Sequence, residues 1–335
     1  MFPMAADVTA IIPNWNGSAR LRRLLPALRR QSAPLAEIVV VDNGSGDDSQ
    51  SAAADFQARW IALGANRGFA AAVNAGIRNS SSRWLAILNN DIEPQTDWLE
   101  QLLKAAENAA APYAAGRLLS WDHPGTLDGC FDLLSRSGLA WRAGHGQPAH
   151  LYAQPGKIRC APFTAVLVQR DLFQRVGLLD ERYGSYLEDV DFGLRCAVAG
   201  YEGVYEPAAI ARHEGSATLG RWSPGMVRLL SRNQVLFIAK HFPEGWPARF
   251  GIPVLAGQLL WAFLALRRGR LISWVQGKLD ALASWGEWRR HAEATPAPVL
   301  HRILLEDEKL IQRLQACGSP DRFWSLYFRL LGNPK

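Results

Sequence analysis

The sequence predicts an α/β fold: a mixed, mostly parallel sheet flanked by helices, with a helical extension at the C-terminus. Three observations carry this. Strand-like and helix-like runs alternate through residues 1–240. The strand runs are apolar throughout rather than alternating in polarity, as in sheets covered on both faces. Four polar clusters follow the strands: Pro13-Asn14-Trp15-Asn16, Asp42-Asn43-Gly44-Ser45, Asn66-Arg67-Gly68 and Asn89-Asn90-Asp91. In such sheets ligands bind outside the carboxyl ends of the strands, so the four clusters are expected to meet at one edge.

The elements read as follows. Val8 to Ile12 is a short buried strand that Pro13 breaks. Within residues 18–31, Leu21, Leu24, Leu25 and Leu28 recur at helical spacing. Glu37 to Val41 is a β-branched run ending in DNGSGDDS, a loop by composition. Residues 48–60 read as a helix, Ile61 to Leu63 as a short strand, and NRGFAAAVNAGI as a helix with Gly68 at its entry. Trp84 to Leu88 is a further buried strand, and the chain is helical again from Thr96. Residues 112–160, rich in Gly, Pro and Trp with little periodicity, read as loops and short strands over the sheet edge. Ala165 to Gln169 is a strand and 171–176 a helix. Val190, Leu194, Ala197 and Val198 mark another helix, and Val204-Tyr205 a last strand reaching ARHEGS.

A chain of 335 residues has room for one large α/β domain and something smaller. Apolar content of 48% and charged content of 20% are ordinary for a folded protein. Of the formal net charge of +6, residues 241–335 carry +5, from 13 Lys/Arg against 8 Asp/Glu. That distribution argues against a nucleic-acid surface on the main domain and for an acidic partner near the C-terminus. Cys130, Cys160, Cys196 and Cys317 show neither metal-ligand nor disulfide-framework spacing, so reduced cytosolic thiols are expected. MFPMAADVTAIIP lacks the basic and apolar regions of a signal peptide. A cytoplasmic location is expected, either free or peripheral on the inner face of the membrane.

Individually, the candidate residues are ambiguous. Asp91, closing Asn89-Asn90-Asp91, suits a hard divalent cation, which needs few protein carboxylates when phosphates complete its shell. A capped strand-end turn is the alternative. Asp42 either accepts hydrogen bonds from a base or ribose, or forms an Asx-turn. Glu188, Asp189 and Asp191 put three carboxylates at a helix start. One could serve as a general base, and the helix dipole alone also favours acids there. His213 is either structural or a ligand better suited to Mn²⁺ than Mg²⁺.

Order and spacing change this. TAIIPNWNG, EIVVVDNGSGDDS, NRGFAAAVNAGI, LAILNNDIEPQTDWLEQLL, GLLDERYGSYLEDVDFGLRCAVAGY, ARHEGS and SRNQVLFIAKHFP occur in sequence. Together they resemble the family 2 glycosyltransferases of GT-A fold, over about residues 7–243. The similarity is greatest to the bacterial rhamnosyltransferase-like, cell-wall or O-antigen branch. The resemblance implies that Pro13, Asn14, Asn16, Asp42 and Asn43 hold the nucleotide. It implies that Asn66, Gly68 and Asn74 line the nucleotide and sugar site. Asn89-Asn90-Asp91 stands where the family has its Asp-x-Asp metal motif, with Asn in first place, leaving Asp91 as the main carboxylate for Mn²⁺ or Mg²⁺. His213 matches a His that joins the metal shell in some members. Asp189 matches the catalytic base, with Glu188 and Asp191 as fallbacks.

The expected activity is therefore inverting transfer from a nucleotide-diphospho-sugar to a saccharide or lipid-linked acceptor, in polysaccharide synthesis of the cell envelope. The branch points to dTDP-rhamnose; galactofuranose, glucose and N-acetylglucosamine donors stay open. Processive synthases of the family carry Gln-x-x-Arg-Trp. Here Thr218-Leu-Gly-Arg221-Trp222 lacks the Gln, and Gly215 to Trp222 reads as either a lid with Arg221 as a phosphate contact or an exposed loop. Two rivals remain: a nucleotidyltransferase, whose Gly-rich basic loop PNWNGSAR does not supply, and a non-catalytic nucleotide-sugar-binding protein of the same fold.

The expected domains are 5–243 and a helical 244–335. Ile252 to Leu266 holds one polar residue, Gln258, and is short for a membrane span. With Arg267, Arg268, Arg270 and several Trp around it, residues 246–290 suit either a membrane-surface element or packing on the domain. PDRFWSLYFRLL, near the end, reads as a further helix or a dimer contact.

Overall fold

The computed structural model describes residues 6–123, 125–215 and 220–332. A first unit comprises the chain to Phe131 and Gly144–Gly215. In order it holds β1 (Ala6–Asn14), α1 (Ser18–Arg29), β2 (Leu35–Asp42), α2 (Ser49–Asp55), β3 (Arg59–Ala62), α3 (Phe69–Arg78), β4 (Trp84–Leu88), β5 (Ile92–Pro94), α4 (Trp98–Asn108), β6 (Tyr113–Ser120) and β7 (Leu127–Gly129). After an excursion through β8 (Asp132–Leu134) and β9 (Ala140–Arg142) it continues with β10 (Gly156–Ile158), β11 (Ala165–Gln169), α5 (Arg170–Val176), α6 (Glu188–Val198) and β12 (Gly203–His213). The second unit takes the β8–β9 hairpin and the chain after Gly215: α7 (Pro224–His241), α8 (Trp246–Arg267), α9 (Leu271–Arg290), α10 (Ala297–Ala316) and α11 (Arg322–Leu331). The hairpin and α7 lie within the 5–243 segment that the sequence reading treats as one domain.

Among the described residues, the sheet of the first unit runs β10-β12-β6-β11-β4-β1-β2-β3, with β5 on β12 and β7 on β6. β3, β2, β1 and β4 are mutually parallel, whereas β11 runs antiparallel to β4 and β6. The continuous apolar runs explain the layering. Val39, Val40 and Val41 of β2 and Leu85 to Leu88 of β4 are fully buried, because helices cover both faces. On one face Leu21, Leu24, Leu25 and Leu28 of α1 join Trp98, Leu99 and Leu102 of α4 in the core.

Two readings need correction. Pro13 does not end β1; it is buried inside it, opposite Val41. β1 pairs with β4 only as far as Ile11, so Pro13 lies where the strand has one neighbour and its missing N–H is tolerated. The 112–160 stretch is not confined to loops and short strands over the sheet edge: β6 is an eight-residue strand between β12 and β11. Its sequence YAAGRLLS is Ala- and Gly-rich and carries no β-branched residue, so propensity hides it. Gly116 is needed there because a Cβ would lie 2.1 Å from the Ala209 carbonyl oxygen.

The second unit is held by polar groups as well as apolar ones. Glu308 is fully buried and accepts from the Arg136 backbone N–H at 2.8 Å, the Arg136 guanidinium at 2.7 Å and the Tyr327 hydroxyl at 2.8 Å. Beside it Asp307 accepts from Leu134 N–H at 2.9 Å. Lys278 is tied to Ser231 O at 2.8 Å and to Gln258 Oε1. Burial pushes its amine down to about 7.

Two predictions follow from this packing. Replacing Glu308 by Ala strands Arg136 and the Tyr327 hydroxyl, and should cost about 3–5 kcal/mol in urea denaturation. Lys278 has a folded-state value below its unfolded one of 10.5, so the unfolded chain holds the extra proton between about 7 and 10.5. Through this group stability is lowest below about pH 7 and rises with pH across that window. Relative to Lys278→Met, wild type should therefore gain stability between pH 7 and about pH 10.

Candidate active site

Side-chain hydrogen bonds join the carboxyl ends of β1, β2 and β4. Asn14 and Asp42 are register partners. Asn14 Nδ2 donates to Asp42 Oδ1 at 3.2 Å and to Ser45 Oγ at 3.3 Å, while its Oδ1 accepts from Asn90 Nδ2 at 2.8 Å. Gly17 makes room for this: a Cβ there would sit 2.2 Å from Asn90 Nδ2 and 2.3 Å from Asn14 Oδ1. Asp42 forms the Asx-turn, with Oδ2 accepting from Gly44 and Ser45 N–H at 3.0 and 2.9 Å. Asn16 adopts a left-handed φ of 48° and accepts from Gly46 N–H at 2.8 Å, latching the first loop to the second.

The third cluster joins through Asn43, whose Nδ2 donates to Gly68 O at 3.2 Å and whose Oδ1 accepts from Arg67 N–H at 3.2 Å. Asn66 Oδ1 accepts from Gly68 N–H at 3.0 Å. Gly68 has φ +87°, and a Cβ would lie 2.6 Å from Gly184 O, so no larger residue fits. Asn74, farther along α3, is buried and is bonded to both backbone groups of Leu179 and to Glu181. It clips α3 to the segment ahead of α6. All four predicted clusters are thus brought together.

The fourth cluster meets His213 through sheet register. β5 pairs antiparallel with β12, setting His213 opposite Ile92 and so beside Asp91. His213 Nε2 lies 3.3 Å from Asp91 Oδ1, and Nδ1 lies 2.7 Å from Asp128 Oδ2. Burial alone would lower the imidazole, but the hydrogen bond to Asp128 and the nearby carboxylates of Asp128 and Asp91 push it up to about 9. The Asp91–His213 approach is within ion-pair range without hydrogen-bond alignment, so Asp91 Oδ1 is a buried oxygen lacking a hydrogen bond among the described residues. Asn89 Oδ1 and Glu188 Oε2 are in the same condition. Asn89 N–H donates to Thr164 O at 2.9 Å.

The three carboxylates of α6 differ sharply. Asp191 is fully buried and accepts from Arg195 Nε at 2.9 Å and Tyr183 hydroxyl at 3.4 Å. Glu188 is buried, and burial followed by the Asp189 charge holds its carboxyl well above the usual range. Asp189 alone is partly open, with Oδ1 accepting from Val190 N–H at 2.8 Å and Oδ2 from Phe163 N–H at 3.4 Å. The chain enters α6 through Tyr186 and Leu187, both left-handed, at φ 72° and 71°. Side chains this large rarely adopt that conformation, and such strain tends to collect at functional sites. The Tyr186 hydroxyl is pushed up to about 12 by burial, then by the charges of Glu188 and Asp91. It stands within the electrostatic reach of both.

Sequence reasoning missed Asp128, Tyr186, Ser45 and Gly17. Asp128 sits in the Gly- and Pro-rich stretch, where nothing in TLDGC marks it. Ser45 belonged to a polar cluster already singled out, and Gly17 directly follows one. Thr218 lies outside the described residues; Arg221 is exposed and belongs to the second unit.

Among the described residues, no three or more His, Cys, Asp or Glu form a complete protein-only metal cage. The donors present fit a hard cation whose shell is completed by phosphate. Asp91 offers a buried oxygen lacking a hydrogen bond, and His213 Nε2 is beside it with Nδ1 held by a carboxylate, as in many metal sites.

Residues 9–177 match the profile described as glycosyl transferase family 2. The chain is 24% identical over 305 residues to the N-acetylglucosaminyl-diphospho-decaprenol L-rhamnosyltransferase of Mycobacterium tuberculosis, covering 81% of this chain and 99% of that protein. It is 29% identical over 225 residues to the pre-mycofactocin glycosyltransferase of the same species, covering 66% of this chain and 45% of that one. Among solved structures, it resembles the mannosyltransferase PcManGT from Pyrobaculum calidifontis in complex with GDP-Man and Mn²⁺, with TM-score 0.52, 17% identity and coverage of 98% and 86%. It also resembles GalNAc-T7 with UDP, GalNAc and Mn²⁺, with TM-score 0.58, 14% identity and coverage of 85% and 56%. Glu188, Asp189, Asp191 and His213 lie beyond the matched profile, so their roles rest on geometry. With its sheet ends joined into one polar edge, its GT-A architecture and a profile match spanning half its length, the chain belongs to glycosyl transferase family 2.

Proposed function

We propose that this protein is an inverting, divalent-metal-dependent glycosyltransferase of the rhamnosyltransferase-like branch. It transfers the sugar of a nucleotide-diphospho-sugar, with dTDP-rhamnose the favoured donor, to a hydroxyl of a saccharide or lipid-linked saccharide. One observation carries the reading. Asp91 and Glu188 are buried with oxygens lacking hydrogen bonds, and both act on Tyr186, while Asp189 beside them remains open. A buried carboxylate oxygen with unused acceptor capacity, beside His213, favours a cation at Asp91. The rhamnosyltransferase of M. tuberculosis supports the donor and acceptor class, by its name.

The residues divide the work. Asn14, Asp42, Asn43, Asn66 and Gly68 form the edge that receives the nucleotide, with Pro13 and Asn16 setting the first loop. Asp91 and His213 would hold Mn²⁺ or Mg²⁺, with Asn89 and Asn90 in the same turn. The cation would supply charge neutralisation for the departing diphosphate. Asp128 keeps His213 oriented with Nε2 toward Asp91. Asp189 accepts the proton of the acceptor hydroxyl as that oxygen attacks the anomeric carbon, and a single displacement inverts the configuration. Glu188, its carboxyl raised by burial, stays protonated more readily than Asp189 and is the poorer base. Asp191 is committed to Arg195 and Tyr183 and braces the start of α6.

Nucleotide release from a panel of UDP-, GDP- and dTDP-sugars, with and without Mn²⁺, tests the activity, and NMR of the anomeric product tests inversion. Asp189→Asn should lower kcat by about 10²–10⁴-fold while donor binding by calorimetry is retained. Retained turnover would remove Asp189 as the base. Asp128→Asn should weaken Mn²⁺ binding, read by electron paramagnetic resonance without substrate, by about 10–100-fold. Unchanged binding would remove Asp128 as the group that orients His213 for the metal.

A further inference from the structure

Of the thirteen large apolar side chains exposed among the described residues, ten lie on α8 and α9. They are ordered. On α8 they are Ile252, Leu255, Leu259, Phe263 and Leu266; on α9 they are Leu271, Ile272, Val275, Leu279 and Leu282. Spacings of three and four place each set on one helical face.

The opposite face of α9 is occupied by α7, and that of α8 by the turn at Ser137–Leu139 and by α11, with Trp261 reaching α7. Trp261 Nε1 donates to Ser231 Oγ at 2.9 Å, and Lys278 Nζ donates to Ser231 O. Gly277 brings α9 so close that a Cβ would lie 2.3 Å from Arg228 O. Both helices therefore turn their inner sides to the rest of the second unit and their apolar stripes away from it. Gly269 and Arg270 make the short turn between them.

From Trp246 to Leu279 the chain contains Arg249, Arg267, Arg268, Arg270 and Lys278, and no Asp or Glu. Arg267 and Arg268 are exposed at the turn. Three Trp gather near it: Trp222 stacks on Trp261 at 5.6 Å, Arg268 lies over Trp222 at 5.0 Å, and Lys278 lies near Trp274 at 5.7 Å. α8 is long and apolar enough to cross a bilayer. Its inner side, with Phe250, Val254, Gly257 and Leu260 buried and Gln258 and Trp261 hydrogen-bonded, is already committed to protein.

We propose that the outer faces of α8 and α9 form a docking surface for an anionic lipid bilayer, with the helices lying in the interface plane. Apolar side chains enter the headgroup–acyl boundary, Trp residues sit at headgroup level, and the arginines meet lipid phosphates. Charge decides against a second copy as the occupant. A two-fold contact would set this patch against itself, bringing exposed Arg267 and Arg268 together, while Asp280, the one acid between Trp246 and Leu282, is already bonded to Arg228. The surface does not depend on the sugar-transfer reading.

The test uses the full chain and flotation with vesicles of phosphatidylcholine alone or with about 30 mol% phosphatidylglycerol. Anionic vesicles should bind at least about tenfold more protein, and binding should weaken with salt. Leu259→Glu combined with Leu279→Glu should abolish binding, and Arg267→Glu combined with Arg268→Glu should remove the preference for anionic lipid. All four side chains are exposed, so the melting temperature should hold. No vesicle binding, or binding unchanged by these substitutions, overturns the proposal. So does a dimer in lipid-free buffer, seen by sedimentation equilibrium, that the leucine substitutions dissociate. Transfer to a soluble acceptor, assayed in the same variants, separates failure of docking from failure of the proposed activity.

Discussion

The site depends on the bond between Asn90 and Asn14. Parallel strands leave polar groups at their carboxyl ends with no ladder partner. Here Asp42, Ser45 and Ser49 accept from the loop N–H groups, and a side-chain chain, Asn90 to Asn14 to Asp42 to Ser45, ties β4, β1 and β2 at one level. Each member is buried or half-buried, so none can be lost without stranding its neighbour. That linkage sets where the Asn89–Asp91 turn leaves the sheet, and therefore where Asp91 points.

The same turn leads into β5, and its pairing with β12 brings His213 from 122 positions along the chain to Asp91. Asp128, on β7, completes the line on the far side of the imidazole. Two carboxylates around one imidazole overcome the burial that would otherwise neutralise it. The α6 acids show the complementary effect. Three carboxylates within four residues differ because Arg195 takes one, burial raises another, and only Asp189 keeps an open side. Spacing along a helix makes neighbours; it does not make equivalents.

The second unit handles apolar surface differently. Its interior uses buried charge: Glu308 and Asp307 bond the β8–β9 hairpin and α11, positions that tolerate little change. Its outer helices leave ten large apolar side chains in contact with solvent. A soluble monomer gains nothing from such a stripe.

Much of this was legible in the sequence. The apolar runs of β2, β4 and β11, the leucine stripe of α1 and the four polar clusters marked a parallel-type sheet with a functional edge, because burial on both faces leaves a local compositional trace. β6 left none, since Ala and Gly serve a tightly packed central strand as well as they serve a loop. Pro13 looked like a stop because its one-sided pairing depends on where β4 ends. The candidate acids and His213 could be named in advance. Which of them is enclosed, which stays open, and that Asp128 and Tyr186 join them, came only from the tertiary structure. The physical reason is that burial and hydrogen-bond partnership are properties of residues distant in sequence, whereas periodicity and turn chemistry are properties of neighbours.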